Sequence, residues 1–123
     1  MLDAWLFGNA SELKPDVIQK QLDPILIEGE IIERAFKLIR DMFVFTNKRL
    51  ILVDKQGVTG NKVEYHSLPY KSIIHFSIET AGNFDRDSEL KLYITGGLMI
   101  EKELKKSIDI RSLQKSLAWY ILK

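Results

Sequence analysis

A mainly β domain with flanking helices is the fold class this 123-residue sequence predicts, and three observations predict it. Between residues 31 and 104, short apolar or alternating runs recur, each bounded by turn residues, which is the pattern of strands. On either side of that block, apolar residues recur at helical spacing instead. A composition of 46% hydrophobic and 28% charged residues is that of a packed globular chain, and the absence of cysteine excludes a disulfide framework and thiol chemistry.

The elements follow in order. Leu2, Trp5 and Leu6 form a short apolar stripe that ends near Gly8. Leu13, Val17, Ile18, Leu22 and Ile25 then recur at roughly helical spacing. Pro15 suits a first helical turn, where its missing N–H would be unpaired in any case, and the Asp23-Pro24 step interrupts the helix. Glu28-Gly29-Glu30 turns the chain into the first strand, 31–39, with Ile32, Phe36 and Leu38 on one face, Glu33, Ala35 and Lys37 on the other, and Arg34 as a polar exception.

Residues 42–46 and 50–53 are expected to be the second and third strands, joined in a hairpin at Asn47-Lys48. In the fourth, from Val63 to His66, Val63 and Tyr65 are expected inward and Glu64 and His66 outward. Ile74, Phe76 and Ile78 share a face of the fifth, and Leu90, Leu92 and Ile94 point inward from the sixth. Gly96-Gly97 supplies the positive φ of a primed hairpin turn before the seventh, 98–104. Asp109 is a plausible N-cap for a closing helix with Ile110, Leu113, Leu117, Tyr120 and Ile121 on one stripe. The reading is one domain over 1–123: an N-terminal helical segment (1–27), a seven-stranded unit (31–104) and a C-terminal helix (109–122).

A half-exposed antiparallel strand should alternate, yet Met42-Phe43-Val44-Phe45 and Leu50-Ile51-Leu52-Val53 are apolar on both faces. Something covers the second face. The N-terminal helices are one cover and a neighbouring subunit is the other, in which case Met42, Val44, Ile51 and Val53 form an oligomer interface.

Charge narrows the partners. A net charge of +1 is a poor footprint for a nucleic-acid binder. Residues 1–30 carry Asp3, Glu12, Asp16, Asp23, Glu28 and Glu30 against Lys14 and Lys20, while residues 102–123 carry six basic residues against Glu103 and Asp109. These are solvated faces or complementary ends that meet. The N-terminus has no basic region ahead of an apolar core, and no apolar run approaches the roughly 20 residues of a membrane span, so the expected location is the cytoplasm.

No catalytic constellation is visible. The two histidines, His66 and His75, lie on different strands without acidic or thiol residues at ligand spacing, and no metal or cofactor is expected. Asp85, Asp87 and Glu89 would project from one face of a strand, but they lack the glycine and distant glutamate of a calcium loop. Gly57 to Lys62 resembles a phosphate-cradling loop, yet it precedes a strand and lacks the helix N-terminus that would hold the anion. Trp5 and Trp119 sit in helical stripes as core or interface anchors.

The order helix, seven strands, helix resembles the pleckstrin homology superfold, a barrel of two nearly orthogonal antiparallel sheets with one end plugged by the C-terminal helix. The segments Asp41 to Asp54, Val63 to Ser67, Glu79 to Gly82, Phe84-Asp85, Asp87 and Glu89 to Lys91 resemble the bacterial pleckstrin-homology-like domain family over nearly the whole chain. The sequence departs from that pattern at Asn83, where His is common, and at Arg86, where an aliphatic residue is common.

The resemblance implies a non-catalytic binding or adaptor module that mediates protein–protein interaction. It implies assembly into a cyclic homo-oligomer, five-fold in single-domain forms, with a protein partner whose identity is unknown. His66, Ser67, Asn83, Asp85 and Asp87, on the polar side of the fourth to sixth strands, are the candidate partner-binding residues. The alternative is peripheral binding of anionic lipid headgroups through Lys37, Arg40, Lys48 and Arg49. Lys37 and Arg40 fall at one end of the second strand, and Lys48 and Arg49 at the other.

Overall fold

In the computed structural model, which describes residues 12–38, 41–56, 62–80, 88–105 and 109–122, the chain forms two antiparallel sheets and two helices. Strand β1 (Glu12–Leu13) leads into helix α1 (Pro15–Leu22) and a 3-10 turn (Asp23–Ile25). Strands β2 (Ile32–Lys37), β3 (Asp41–Thr46), β4 (Arg49–Gln56) and β5 (Lys62–Pro69) follow. After a second 3-10 turn (Tyr70–Ser72) come β6 (Ile73–Glu79), β7 (Ser88–Ile94), β8 (Met99–Leu104) and helix α2 (Ile110–Ile121). One sheet has the order β1-β2-β3-β4-β5 and the other β6-β7-β8.

The seven expected strands are present, with the two-residue β1 added at the edge of the first sheet. Pro15 stands in the first turn of α1, and the Asp109 carboxylate accepts the Ser112 N–H at 3.1 Å as the N-cap of α2. Of the two expected hairpin turns, the first is found as expected and the second needs refinement. The β3–β4 hairpin turns at Asn47-Lys48, where the Thr46 hydroxyl accepts the N–H groups of Lys48 and Arg49 at 3.0 and 2.9 Å. Gly96 and Gly97 both have φ of +96°, as a tight hairpin demands. Its closing pair is Ile94 and Leu98, however, so the loop has three residues, because the Thr95 N–H is taken by the Ser72 carbonyl at 2.8 Å.

Two hydrophobic clusters lie on opposite faces of the first sheet. The larger fills the barrel: Phe36, Phe43, Phe45, Leu50 and Leu52 meet Leu90, Leu92 and Leu104 from the second sheet, and Leu113, Leu117 and Tyr120 of α2 plug one end. Phe45 packs edge-on to Phe36 at 6.0 Å and stacks on Tyr120 at 5.1 Å. The second cluster joins Ile32, Ala35, Met42, Val44, Ile51 and Val53 to Leu13, Ile18 and Leu22. The second cover of β3 and β4 is therefore the chain's own N-terminal segment. Met42, Val44, Ile51 and Val53, expected at an interface between copies, are buried inside the subunit.

Two β-bulges correct the reading of side-chain direction. Register shifts between Ile32 and Arg34, so Ile32 faces the α1 cluster while Phe36 faces the barrel. Arg34, the polar exception, lies 5.3 Å over the Phe36 ring. A second shift between Ile73 and His75 turns Ile73 inward with Phe76 and Ile78 and leaves Ile74 exposed.

Candidate docking surfaces

The buried polar chemistry of the first sheet is a clasp around Arg49. Its guanidinium donates to both carboxylate oxygens of Glu30 at 2.8 and 3.0 Å, to the Ile25 carbonyl at 2.7 Å and to the Ser67 hydroxyl at 2.9 Å. Glu30 has a wholly buried side chain and also accepts from the Thr46 hydroxyl at 2.7 Å and the Ile27 N–H at 3.1 Å. Burial pushes its pKa up, but the bonds from Arg49, Thr46 and Ile27 and the Arg49 charge outweigh burial and hold it below the usual carboxylate range. Beside the clasp, the Asn47 side chain accepts the Ile31 N–H at 2.8 Å and donates to the Gly29 carbonyl at 3.0 Å. These bonds fasten the segment after α1 to the β3–β4 hairpin.

A second polar group closes the helix end of the barrel. Tyr120 donates to Glu33, Tyr70 donates to the Thr46 carbonyl at 2.6 Å, and the two rings stack at 4.8 Å. Burial raises both phenols above their ordinary range, Tyr70 further, so both remain neutral donors. Across the barrel, Lys102 of β8 reaches Asp41 at 2.8 Å and Asp54 at 3.7 Å. Burial leads the rise in the Asp41 value, with the Lys102 bond opposing it and Asp54 adding to it. These groups are spent on the fold.

Among the described residues, two surfaces stand out as open. The outer face of the second sheet has three rows set by the strand register: His75–Tyr93–Met99, then Ser77–Lys91–Glu101, then Glu79–Glu89–Glu103. His75 and Tyr93 stack at 4.1 Å, and Lys91 lies 3.9 Å from Glu89. A hydrogen bond with Glu101, then desolvation and the Glu101 charge, raise Glu89 above the usual carboxylate range. Ser77, Ile78, Glu79, Glu89 and Lys91 line a hollow of about 360 Å³ there. The other open surface is the outward stripe of α2. Trp119 and Leu122, 71% and 63% exposed, border a hollow of about 540 Å³ with Lys115 and Ala118.

Among the sequence-predicted site residues, His66 pairs with Leu52 and Ser67 with Ile51, so they occupy opposite faces of β5 and share no surface. Alternation back from the buried Leu68 sets His66 and Glu64 on the barrel side and Tyr65 on the other, the reverse of the expected order. Ser67 is engaged by Arg49. Asn83, Asp85 and Asp87 lie outside the described residues, as do Arg40, Gly57, Gly60 and the Leu2, Trp5, Leu6 stripe. Trp119 is exposed, not core. The polar side expected on the fifth and sixth strands includes the open face of the second sheet, but the residues that make its rows, His75, Ser77, Lys91, Tyr93, Met99 and Glu101, were not singled out for it, although the strict alternation of β7 was their signal. Among the described residues, no group of three His, Asp or Glu side chains could hold a metal ion, and no helix is long and apolar enough to cross a membrane.

Comparison with known proteins agrees with this geometry. The family model "Bacterial PH domain" matches residues 2–121. The chain is 57% identical over 115 residues to the uncharacterized protein YjqA of Bacillus subtilis, covering 92% of each. Among solved structures, a family protein with a pleckstrin-homology domain from Shewanella loihica is 54% identical, with a TM-score of 0.79 over 90% of this chain and 96% of that one. A pleckstrin homology domain from Shewanella amazonensis is 53% identical, with a TM-score of 0.81 over 89% of this chain and all of that one.

Proposed function

The chain belongs to the bacterial PH domain family, whose fold typically serves as a non-catalytic binding module, and from that premise we propose that it is an adaptor. In this reading, copies of the chain assemble head to tail into a closed ring and present one docking surface several times to a protein partner. The observation that carries the reading is the division of polar groups. The strongly bonded ones, Glu30, Arg49, Glu33 and Tyr120, hold the fold together, while a broad patterned sheet face and the exposed stripe of α2 are left for contact between copies, and the ring so formed presents its remaining surface to the partner.

The anionic-headgroup alternative is weakened by the same division. Arg49 is engaged by Glu30, and Lys37 and Lys48 flank opposite ends of β3, a strand that spans about 17–20 Å. They cannot converge on one headgroup. Light scattering on the full chain at micromolar concentration is expected to give a discrete multiple of the monomer mass. A monomer at every salt concentration would remove the ring from the proposal.

A further inference from the structure

We infer that the ring contact is made by the α2 stripe of one copy lying along the outer face of the β6-β7-β8 sheet of the next. This rests on the assembly proposed above and names the surfaces that make it.

The two surfaces match in chemistry, order and spacing. Along α2, Arg111, Lys115 and Trp119 follow at intervals of four, joined by Ala118 and Leu122 on the same side. Four residues of helix advance about 6 Å. On the sheet, successive rows are two residues apart along β7, about 6.7 Å. With the helix running parallel to β7 in reverse row order, from Glu89 toward Tyr93, Arg111 meets the carboxylate row Glu79–Glu89–Glu103. Lys115 then meets the row containing Glu101, and Trp119 meets His75, Tyr93 and Met99. Four carboxylates against the single Lys91 give the sheet face the sign opposite to that of the helix. The aromatic row offers the exposed indole a flat apolar floor.

The pairing must be between copies. The inner side of α2, through Leu113, Leu117 and Tyr120, is sealed into the barrel core with Leu90 and Leu92. The outer sheet face lies on the far side of that same sheet, so the two surfaces of one chain cannot touch. A contact between two different patches is heterologous, the kind that closes rings. Binding would relieve the crowding of Glu89 against Glu101 by bringing cations to both.

The test is light scattering on the full chain and on charge-reversed variants, all altered at exposed or half-exposed positions and checked for native circular dichroism. Arg111→Glu with Lys115→Glu, and separately Glu89→Lys with Glu101→Lys, are each expected to raise the concentration needed for assembly at least tenfold. All four changes in one chain, which leave its net charge unaltered, are expected to restore assembly. Trp119→Ala is expected to weaken it without changing its salt dependence. If the native chain assembles and both double reversals assemble equally well, these surfaces are not the interface, although the ring reading stands. A native chain that stays monomeric overturns both.

Discussion

The first sheet is covered on both faces, whereas the second is covered on one, and the chain writes that difference into its strands. In β3 the four residues Met42 to Phe45 are all buried, Phe43 and Phe45 toward the barrel, Met42 and Val44 toward α1. In β7 burial alternates without exception: Leu90, Leu92 and Ile94 inward, Glu89, Lys91 and Tyr93 outward. A strand that faces water must alternate, and one clamped between two layers need not. The comparison separates the sheet that makes the fold from the sheet that offers a surface.

The largest effect is expected where the first sheet meets α2 inside the barrel core. Phe45→Ala removes a ring that is fully buried, edge-on to Phe36 and stacked on Tyr120. Loss of its transfer energy and the cavity left behind should cost about 3–5 kcal/mol. Urea denaturation checks this. A loss below about 1 kcal/mol would mean that the barrel core does not depend on this junction and that the contrast between the sheets is overstated.

Much of that contrast was legible in the sequence, and what was not has a physical cause. The doubly apolar β3 and β4 announced a second cover, and the helical spacing of Leu13, Ile18 and Leu22 supplied one candidate for it. Periodicity could not choose between that helix and a neighbouring subunit, because both would bury Val44 and Ile51 alike. Direction was misread at Ile32 and Ile74, since a bulge inserts one residue and inverts every position on one side of it. His66 and Tyr65 were inverted for another reason: β5 is an edge strand whose exposed residues carry little pattern, and only Leu68 fixes its phase. The Glu30–Arg49 clasp joins residues 19 apart, and nothing local in either segment marks the other.

That clasp gives the intermediate effect. Glu30→Gln removes the charge from a bidentate pair that anchors the segment after α1, at an expected cost of about 2 kcal/mol at neutral pH. The sign of its pH dependence follows from the lowered pKa of Glu30. The native chain holds this stability in full above the unfolded glutamate value of about 4.3 and loses it as pH falls through the lower folded value. The gap between native and Glu30→Gln proteins should therefore narrow on acidification, read from urea midpoints between pH 7 and about pH 3. A gap independent of pH would show that the charge of Glu30 does not hold the second cover in place.

The smallest effect belongs to the open face. Tyr93→Ala deletes one partner of a cross-strand aromatic pair, and such pairs contribute roughly 0.2–1 kcal/mol to the folded chain. Because Tyr93 also lies in the row assigned to the neighbour's Trp119, its loss should act twice, once within the subunit and once between subunits. The first part does not depend on protein concentration. The second does, since anything that binds only the folded chain stabilises it by mass action. Thermal unfolding at rising concentration should therefore show the native midpoint climbing faster than that of Tyr93→Ala. Parallel slopes would confine Tyr93 to its own sheet and leave the open face without a partner along that row.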